Sequence, residues 1–154
     1  MKKELFLFVT VGSTDFDDLI KAVDNLVPKL ETKGIMQIGN GKYKPVNLKF
    51  FRFKETLEPF YKKATLAVAH GGLGTTIELL KHRIPLVSIS NPDRFDKHQD
   101  DLLKAMEDEG YLVWCKRLKD LEQSIHLAQI NNFRIYETPK CKIHYVINEY
   151  LNKI

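Results

Sequence analysis

The sequence predicts an α/β fold, a parallel sheet of about six strands with helices on both faces. Apolar, β-rich runs alternate with segments whose apolar residues recur at intervals of three and four. The first run, "LFLFVTV", is apolar on both sides, as a strand covered on both faces must be. Gly, Ser and Asn punctuate the run ends. Parallel neighbours need crossover connections, and a regular strand–helix alternation supplies them.

In order, Leu5 to Val11 reads as a buried strand broken by Gly12-Ser13-Thr14. From Asp15 to Leu30, Phe16, Leu19, Ile20, Val23, Leu26, Val27 and Leu30 mark one face of a helix, with aspartates in the first turn where the dipole favours them. "GIMQIGNG" and "LKFFRF" are two further strands, the second followed by a short helix, "TLEPFYKKA". Leu66 to Ala69 is strand again, and a glycine loop leads into a helix ending near His82. "PLVSIS", Pro85 to Ser90, is the next strand. A polar loop, a helix over about Lys97 to Glu109, a stop at Gly110 and the strand "YLVWCK" follow. Two helices finish the chain, one over about Leu118 to Gln129. The other, about 139–153, is opened by Thr138 and Pro139 and carries Ile143, Ile147, Tyr150 and Leu151 on one side.

The chain has 154 residues, 44% hydrophobic and 29% charged, which suits one domain, 1–154, large enough to bury a real core. A net charge of +4, from 24 basic and 20 acidic residues spread along the chain, is no nucleic-acid arm. It permits an anionic ligand or an acidic membrane surface. Cys115 and Cys141 lack metal-ligand spacing, so the expectation is free thiols in a reducing, cytoplasmic setting. The apolar run at the start is too short for a signal peptide, and no stretch approaches the roughly 20 apolar residues that cross a bilayer.

In open α/β sheets ligands bind beyond the carboxyl ends of the strands. Three loops there are unusual: Gly12-Ser13-Thr14, "AHGGLGTTIELL" from Ala69 to Leu80, and "NPDRFDKHQ" from Asn91 to Gln99. At Gly71, Gly72 and Gly74 no side chain keeps the helix-start N–H groups from a phosphate, and the dipole favours its charge. Thr75 and Thr76 add hydroxyls to the same turn. The loop lacks the Lys of a nucleotide-triphosphatase P-loop and the third Gly of the dinucleotide fingerprint. A glycine-eased turn that only packs a helix on a sheet fits the spacing too. Glu78, one turn into the helix, can accept hydrogen bonds from ribose hydroxyls, or can be a solvated helix residue. His70 can donate to a phosphate or act as acid or base, or be satisfied by backbone. Asp96, His98 and Gln99 suit sugar hydroxyls, or form an N-cap and a polar first turn.

Together "AHGGLGTTIELLKHRIPLVSISNPDRFDKHQDDLLKAMEDEGYLV" resembles the donor-binding half of the MurG-type inverting glycosyltransferases. There a His-Gly-Gly-x-Gly-Thr-x-x-Glu stretch precedes x-Pro-hydrophobic and Asp-x-His-Gln. The front, "VTVGSTDFDDLI", resembles the soluble subunits of the eukaryotic transferases that add N-acetylglucosamine from its UDP form to dolichol-linked sugar, and small bacterial polysaccharide-synthesis subunits. The likeness covers Phe8 to about Val113; Ala69 departs from the usual Ser and Leu102 from the usual Asn.

The resemblance implies a Rossmann-like domain, one half of a GT-B glycosyltransferase. Glu78 then takes the ribose of a UDP-sugar, Gly12, Ser13 and Thr14 with His70 to Thr76 surround the diphosphate, and His98 with Gln99 reads the sugar. It implies transfer from UDP-N-acetylglucosamine to a lipid-linked or polysaccharide precursor, by a subunit held at the cytoplasmic face of the membrane through an anchored partner. That partner supplies the acceptor half and, unless His70 serves, the catalytic base. The carboxy-terminal helix can pack on that partner or on this chain's own sheet. Helix-start N–H groups and loop hydroxyls can stabilise a leaving diphosphate, so donor binding is expected to need neither metal nor cofactor. Two alternatives are a nucleotide-binding regulatory module without turnover and an NAD-dependent dehydrogenase domain. Against the dehydrogenase, the glycines follow an inner strand and "PLVSIS" does not end in the acidic residue that would hold a ribose.

Overall fold

A computed structural model describes residues 4–92 and 98–138. Asp96 and the helix expected over about 139–153 lie outside the described residues. The elements run β1 (Phe6–Thr10), α1 (Asp17–Leu30), β2 (Lys33–Gln37), β3 (Lys49–Phe51), α2 (Glu58–Lys63), β4 (Leu66–His70), α3 (Leu73–Lys81), β5 (Leu86–Ile89), α4 (His98–Asp108), β6 (Val113–Trp114) and α5 (Leu121–Ile130). The strands form one sheet of order β3-β2-β1-β4-β5-β6, parallel at every pairing. The expected alternation and the six-stranded parallel sheet are both present.

Strand alternation builds two apolar layers. Leu7, Val9 and Val11 point to one face of the sheet, where α1 contributes Leu19, Ile20 and Val23 and α5 contributes Leu121 and Ile125. Phe8, Ala67 and Ala69 point to the other, against Tyr61 of α2, Leu79 and Leu80 of α3 and Leu103 of α4. The small Ala67 and Ala69 side chains let α3 lie close on β4. Leu7, Phe8, Leu19, Ile20, Leu79 and Leu103 are fully buried, each burial worth roughly 1.5–3 kcal/mol.

The boundaries differ from expectation at two helix starts. Asp15 and Phe16 precede α1, because Phe16 is extended at φ −156° and buries its ring in the core. Leu118–Asp120 form a 3₁₀ turn ahead of α5. Among the described residues no helix is long and apolar enough to cross a membrane.

The strand order reverses between β1 and β4. The connection from β1 runs outward to β2 and β3, while that from β4 runs the other way to β5 and β6. Such a switch point opens a crevice at the carboxyl ends of its two strands. Gly12-Ser13-Thr14 leaves β1 there, and Gly71-Gly72 leaves β4 beside it.

Candidate functional site

The glycines around the switch point make room for one side chain, the His70 imidazole. A Cβ added at Gly12 would stand 3.0 Å from His70 Cε1 and 3.6 Å from Thr75 Oγ1; one added at Gly72 would stand 2.6 Å from His70 Nε2. Real Cβ atoms essentially never come as close as the 2.6 Å at Gly72 and seldom as close as the 3.0 Å at Gly12, so the ring is held between two stretches of bare backbone. Gly12 also adopts φ +63°, a left-handed conformation in which a side chain is strained. His70 is consequently 8% exposed at the last position of β4, at the foot of α3.

The loop after β1 is braced from β2. The Gly12 amide donates to Thr10 Oγ1 at 3.0 Å, and Thr10 Oγ1 donates to Gln37 Oε1 at 2.7 Å. Asn40 donates through its amide to the Thr14 carbonyl and through Nδ2 to the Ser13 carbonyl. Gly39, at φ +55°, passes so close that a Cβ there would be 2.2 Å from the Thr14 carbonyl oxygen. Arg52 closes the brace by donating to the Gly39 and Gly41 carbonyls at 2.9 and 2.6 Å. Sequence reasoning missed Thr10, Gln37, Gly39, Asn40 and Arg52. The signal was "GNG", read only as the end of a strand.

At α3, Gly72 is extended (φ −66°, ψ 137°) and no side chain caps the helix. Its first turn therefore presents N–H groups unclaimed by a cap, with a dipole that favours an anion. A Cβ at Gly74 would meet nothing within 4 Å among the described residues. Glu78 lies four residues on, on the same helix face, and is exposed. Its carboxylate meets the Tyr61 hydroxyl of α2 in a side-chain hydrogen bond.

Two of the expected ligand hydroxyls have internal tasks instead. Thr76 is fully buried and donates to the Gly72 carbonyl at 2.7 Å, the back-bond to the preceding turn that a threonine makes within a helix. Thr14 donates to the Val11 carbonyl at 2.8 Å, closing its own turn. Ser13 is exposed and Thr75 half-buried at the mouth. The third loop joins the other two. A Cβ at Gly71 would be 3.4 Å from Gln99 Oε1 and 2.9 Å from a Leu103 methyl, so α4 abuts the glycines. Among the described residues Gln99 Oε1 is buried without a hydrogen-bond partner. Asn91 Nδ2 donates to the Asp15 carbonyl at 3.1 Å, tying this loop to the first. His98 is exposed at the start of α4.

Electrostatics around Glu78 extend away from the mouth. Burial pushes the Tyr61 phenol well above its ordinary range, with the Glu78 carboxylate facing it and Glu58 adding to the effect. His82 rises above its usual value chiefly through its bond at 2.9 Å to the Glu78 carbonyl, and also through Glu58 at 3.0 Å. Asp15-Phe16-Asp17 has the spacing of an acidic metal motif. Its middle residue is in the core, however, and Asp17 accepts from the Lys42 amide at 3.1 Å. Among the described residues no three His, Cys, Asp or Glu side chains converge as a metal site would require.

This geometry has known relatives. The model of the glycosyltransferase family 28 C-terminal domain matches residues 6–150. The UDP-N-acetylglucosamine transferase subunit ALG13 of Homo sapiens is 37% identical over 122 residues, which are 71% of this chain and 11% of that protein. An uncharacterized glycosyltransferase of Methanosarcina mazei is 34% identical over 67 residues, 44% of this chain and 17% of its own length. The chain thus spans about a tenth of the length of the mammalian relatives it matches. Among solved structures, Acinetobacter baumannii MurG superposes with a TM-score of 0.65 at 22% identity, covering 85% of this chain and 42% of that one. A solution structure of ALG13 gives a TM-score of 0.65 at 17% identity, covering 94% and 95%. At those identities the two structures share the fold, a Rossmann-like half of a GT-B glycosyltransferase. With its matched region running from β1 through the last strand and helix described, the chain belongs to glycosyltransferase family 28, as a C-terminal domain of that family.

Proposed function

We propose that the chain is the donor-binding subunit of an inverting glycosyltransferase that uses a UDP-sugar, UDP-N-acetylglucosamine in the first instance. One observation carries the reading: at the switch point an uncapped helix start, two glycine-lined turns and a buried histidine converge on one open mouth. The diphosphate lies against the first turn of α3 and the loop Gly12–Thr14, with the His70 ring between them. The ribose lies over Gly74 and is held by Glu78. The sugar reaches toward Gln99 and His98, with Asp96 in the same loop. The ALG13 name supports N-acetylglucosamine as the sugar and a subunit role.

In the reaction an acceptor hydroxyl attacks the anomeric carbon opposite the diphosphate. The new C–O bond forms as the bond to UDP breaks, and negative charge grows on the departing β-phosphate. Helix-start N–H groups of α3 are already aimed at that charge, so no reorganisation is needed as it appears. Donor binding needs no divalent metal in this reading. The base that takes the acceptor's proton, and the acceptor site for a lipid-linked or polysaccharide precursor, come from a membrane-anchored partner at the cytoplasmic face.

The test is amide chemical-shift mapping on labelled full-length protein with a chelator present, adding UDP, UDP-N-acetylglucosamine and NAD in turn. Shifts at Gly12, Gly71–Glu78 and Gln99 with both uridine ligands, absent in Glu78→Ala, are the expected result. Shifts with NAD alone, or uridine binding elsewhere, overturn the reading. A regulatory module would bind UDP yet gain no sugar transfer when membranes carrying the partner are added.

A further inference from the structure

The segment from Lys42 to Lys54 plays no direct part in that site, yet its chemistry is the most one-sided in the molecule. It carries four lysines, Lys42, Lys44, Lys49 and Lys54, and Arg52, with no carboxylate among them. All four lysines are exposed, and among the described residues none is in an ion pair. The same segment holds Val46, Phe50 and Phe53, exposed by 82%, 37% and 55%. These are three of the seven large hydrophobic residues so exposed among the described residues, so apolar and cationic exposure coincide here. Val46, Phe50 and Lys49 line one shallow recess at β3, the strand that, among the described residues, ends the sheet and has β2 as its single neighbour.

The segment is also held firmly in place. Asp24, fully buried in α1, accepts from Tyr43 Oη at 2.7 Å, the Val46 amide at 3.0 Å and the Asn47 amide at 2.9 Å. Arg52 is occupied by the Gly39 and Gly41 carbonyls. Lys42, Lys44, Lys49 and the apolar side chains are therefore displayed on a fixed backbone, while Lys54 Nζ lies over the Phe51 and Phe60 rings at 5.3 and 5.8 Å.

We propose that this edge, Lys42 to Lys54, docks directly on an anionic lipid bilayer. Lysines interspersed with a few exposed apolar side chains suit an interface in which the rings enter the headgroup region and long stems carry ammonium groups to phosphates. A protein partner fits less well, because protein interfaces are depleted in Lys and gather their apolar residues into a contiguous core. Arg52 joins this edge to Gly39, which packs on the loop of the candidate site. Docking here would lay the β3 edge of the sheet along the lipid headgroups. The assignment concerns this chain's own contact with lipid, apart from any partner subunit.

Flotation of the full chain with phosphatidylcholine vesicles, with and without phosphatidylglycerol, tests it. The chain should float with the anionic vesicles, stay with the soluble fraction beside neutral ones, and be released by raised salt. Lys44→Glu with Lys49→Glu, and separately Phe53→Ser, should each weaken flotation, the charge reversal by at least about tenfold. Unchanged amide spectra and UDP shifts would show that the variants remain folded; Lys44→Gln with Lys49→Gln is the milder substitute if they do not. Wild-type protein that ignores anionic vesicles, or folded variants that float like wild type, would overturn the proposal. So would retention on poly-glutamate or a single-stranded oligonucleotide through the same lysines without vesicle binding, which would assign the surface to another polyanion.

Discussion

The two ends of the sheet differ in a way that volume alone would misjudge. At the amino-terminal end Leu5, Thr65, Pro85 and the last turns of α5 surround a recess of about 720 Å³. The carboxyl end carries the glycine loops and the start of α3. Yet this recess meets the carboxyl end of α5, whose dipole repels anions, and its polar side chains are Thr65, Gln123, His126, Gln129 and Asn131. In a parallel sheet every helix that follows a strand starts at the carboxyl edge, so N–H groups gather there. For a diphosphate, the direction of backbone dipoles decides, and the carboxyl end is the better site.

The largest expected effect comes from filling the brace behind the mouth. Gly39→Ala places a methyl 2.2 Å from the Thr14 carbonyl and forces an alanine to φ +55°. A cost of about 3 kcal/mol is expected from overpacking and left-handed strain together, read as a lower denaturant midpoint with an unchanged slope. Gln129, beside the recess at the amino-terminal end, is exposed, and Gln129→Ala should move stability by no more than about 0.5 kcal/mol. Equal losses at both ends would break the contrast.

Next in size, Glu78→Ala should weaken UDP binding by roughly 10- to 100-fold, the worth of hydrogen bonds to a charged group. Titration calorimetry measures it. The same variant should bind 2′,3′-dideoxy-UDP as the wild type does, since that ligand offers the carboxylate nothing. A loss of equal size for both ligands would move Glu78 from ribose recognition to a structural role beside Tyr61.

Gly74→Ala separates stability from function at one atom. A methyl there meets nothing among the described residues, so replacing a helical glycine should stabilise the chain by about 0.5–1 kcal/mol. The same methyl occupies the space above Glu78 and should weaken UDP binding. Thermal unfolding and calorimetry on one preparation read both; a gain in stability with unchanged affinity would put the ribose elsewhere.

Much of this was legible in the sequence, for reasons that also explain what was not. Strand and helix order followed from period, because Leu7, Val9 and Phe8 must face opposite layers and α1 must bury one stripe. The three loops were visible as glycine clusters and polar runs. Spacing cannot tell why a glycine is bare, though: Gly12 and Gly72 leave room for His70, Gly71 for α4, and Gly74 for nothing among the described residues. Nor can it tell which hydroxyl a backbone carbonyl will claim, as happens at Thr14 and Thr76. The brace from β2 was hidden because its members are neighbours only across the sheet, at separations such as 27 residues between Thr10 and Gln37.

The smallest expected effect tests whether the helix that offers its start to an anion is tuned at its other end. His82 follows α3, bonds to the Glu78 carbonyl and Glu58, and has its pKa raised in the folded chain. A raised value means that the protonated ring stabilises the fold fully below the unfolded value near 6.5, and that this contribution disappears as pH climbs through the folded value. His82→Ala should therefore cost more at pH 5.5 than at pH 8.5. The Glu58 side chain is 53% exposed, so screening by water keeps the difference below about 1 kcal/mol. Denaturation midpoints of wild type and variant at the two pH values give the number. A larger cost at high pH would mean that the neutral imidazole, packed 4.6 Å from the Tyr61 ring, stabilises the turn through contact instead of charge. UDP affinity should follow neither trend, because a charge beyond the last turn of α3 acts on the carbonyl end of the dipole and falls off within that turn.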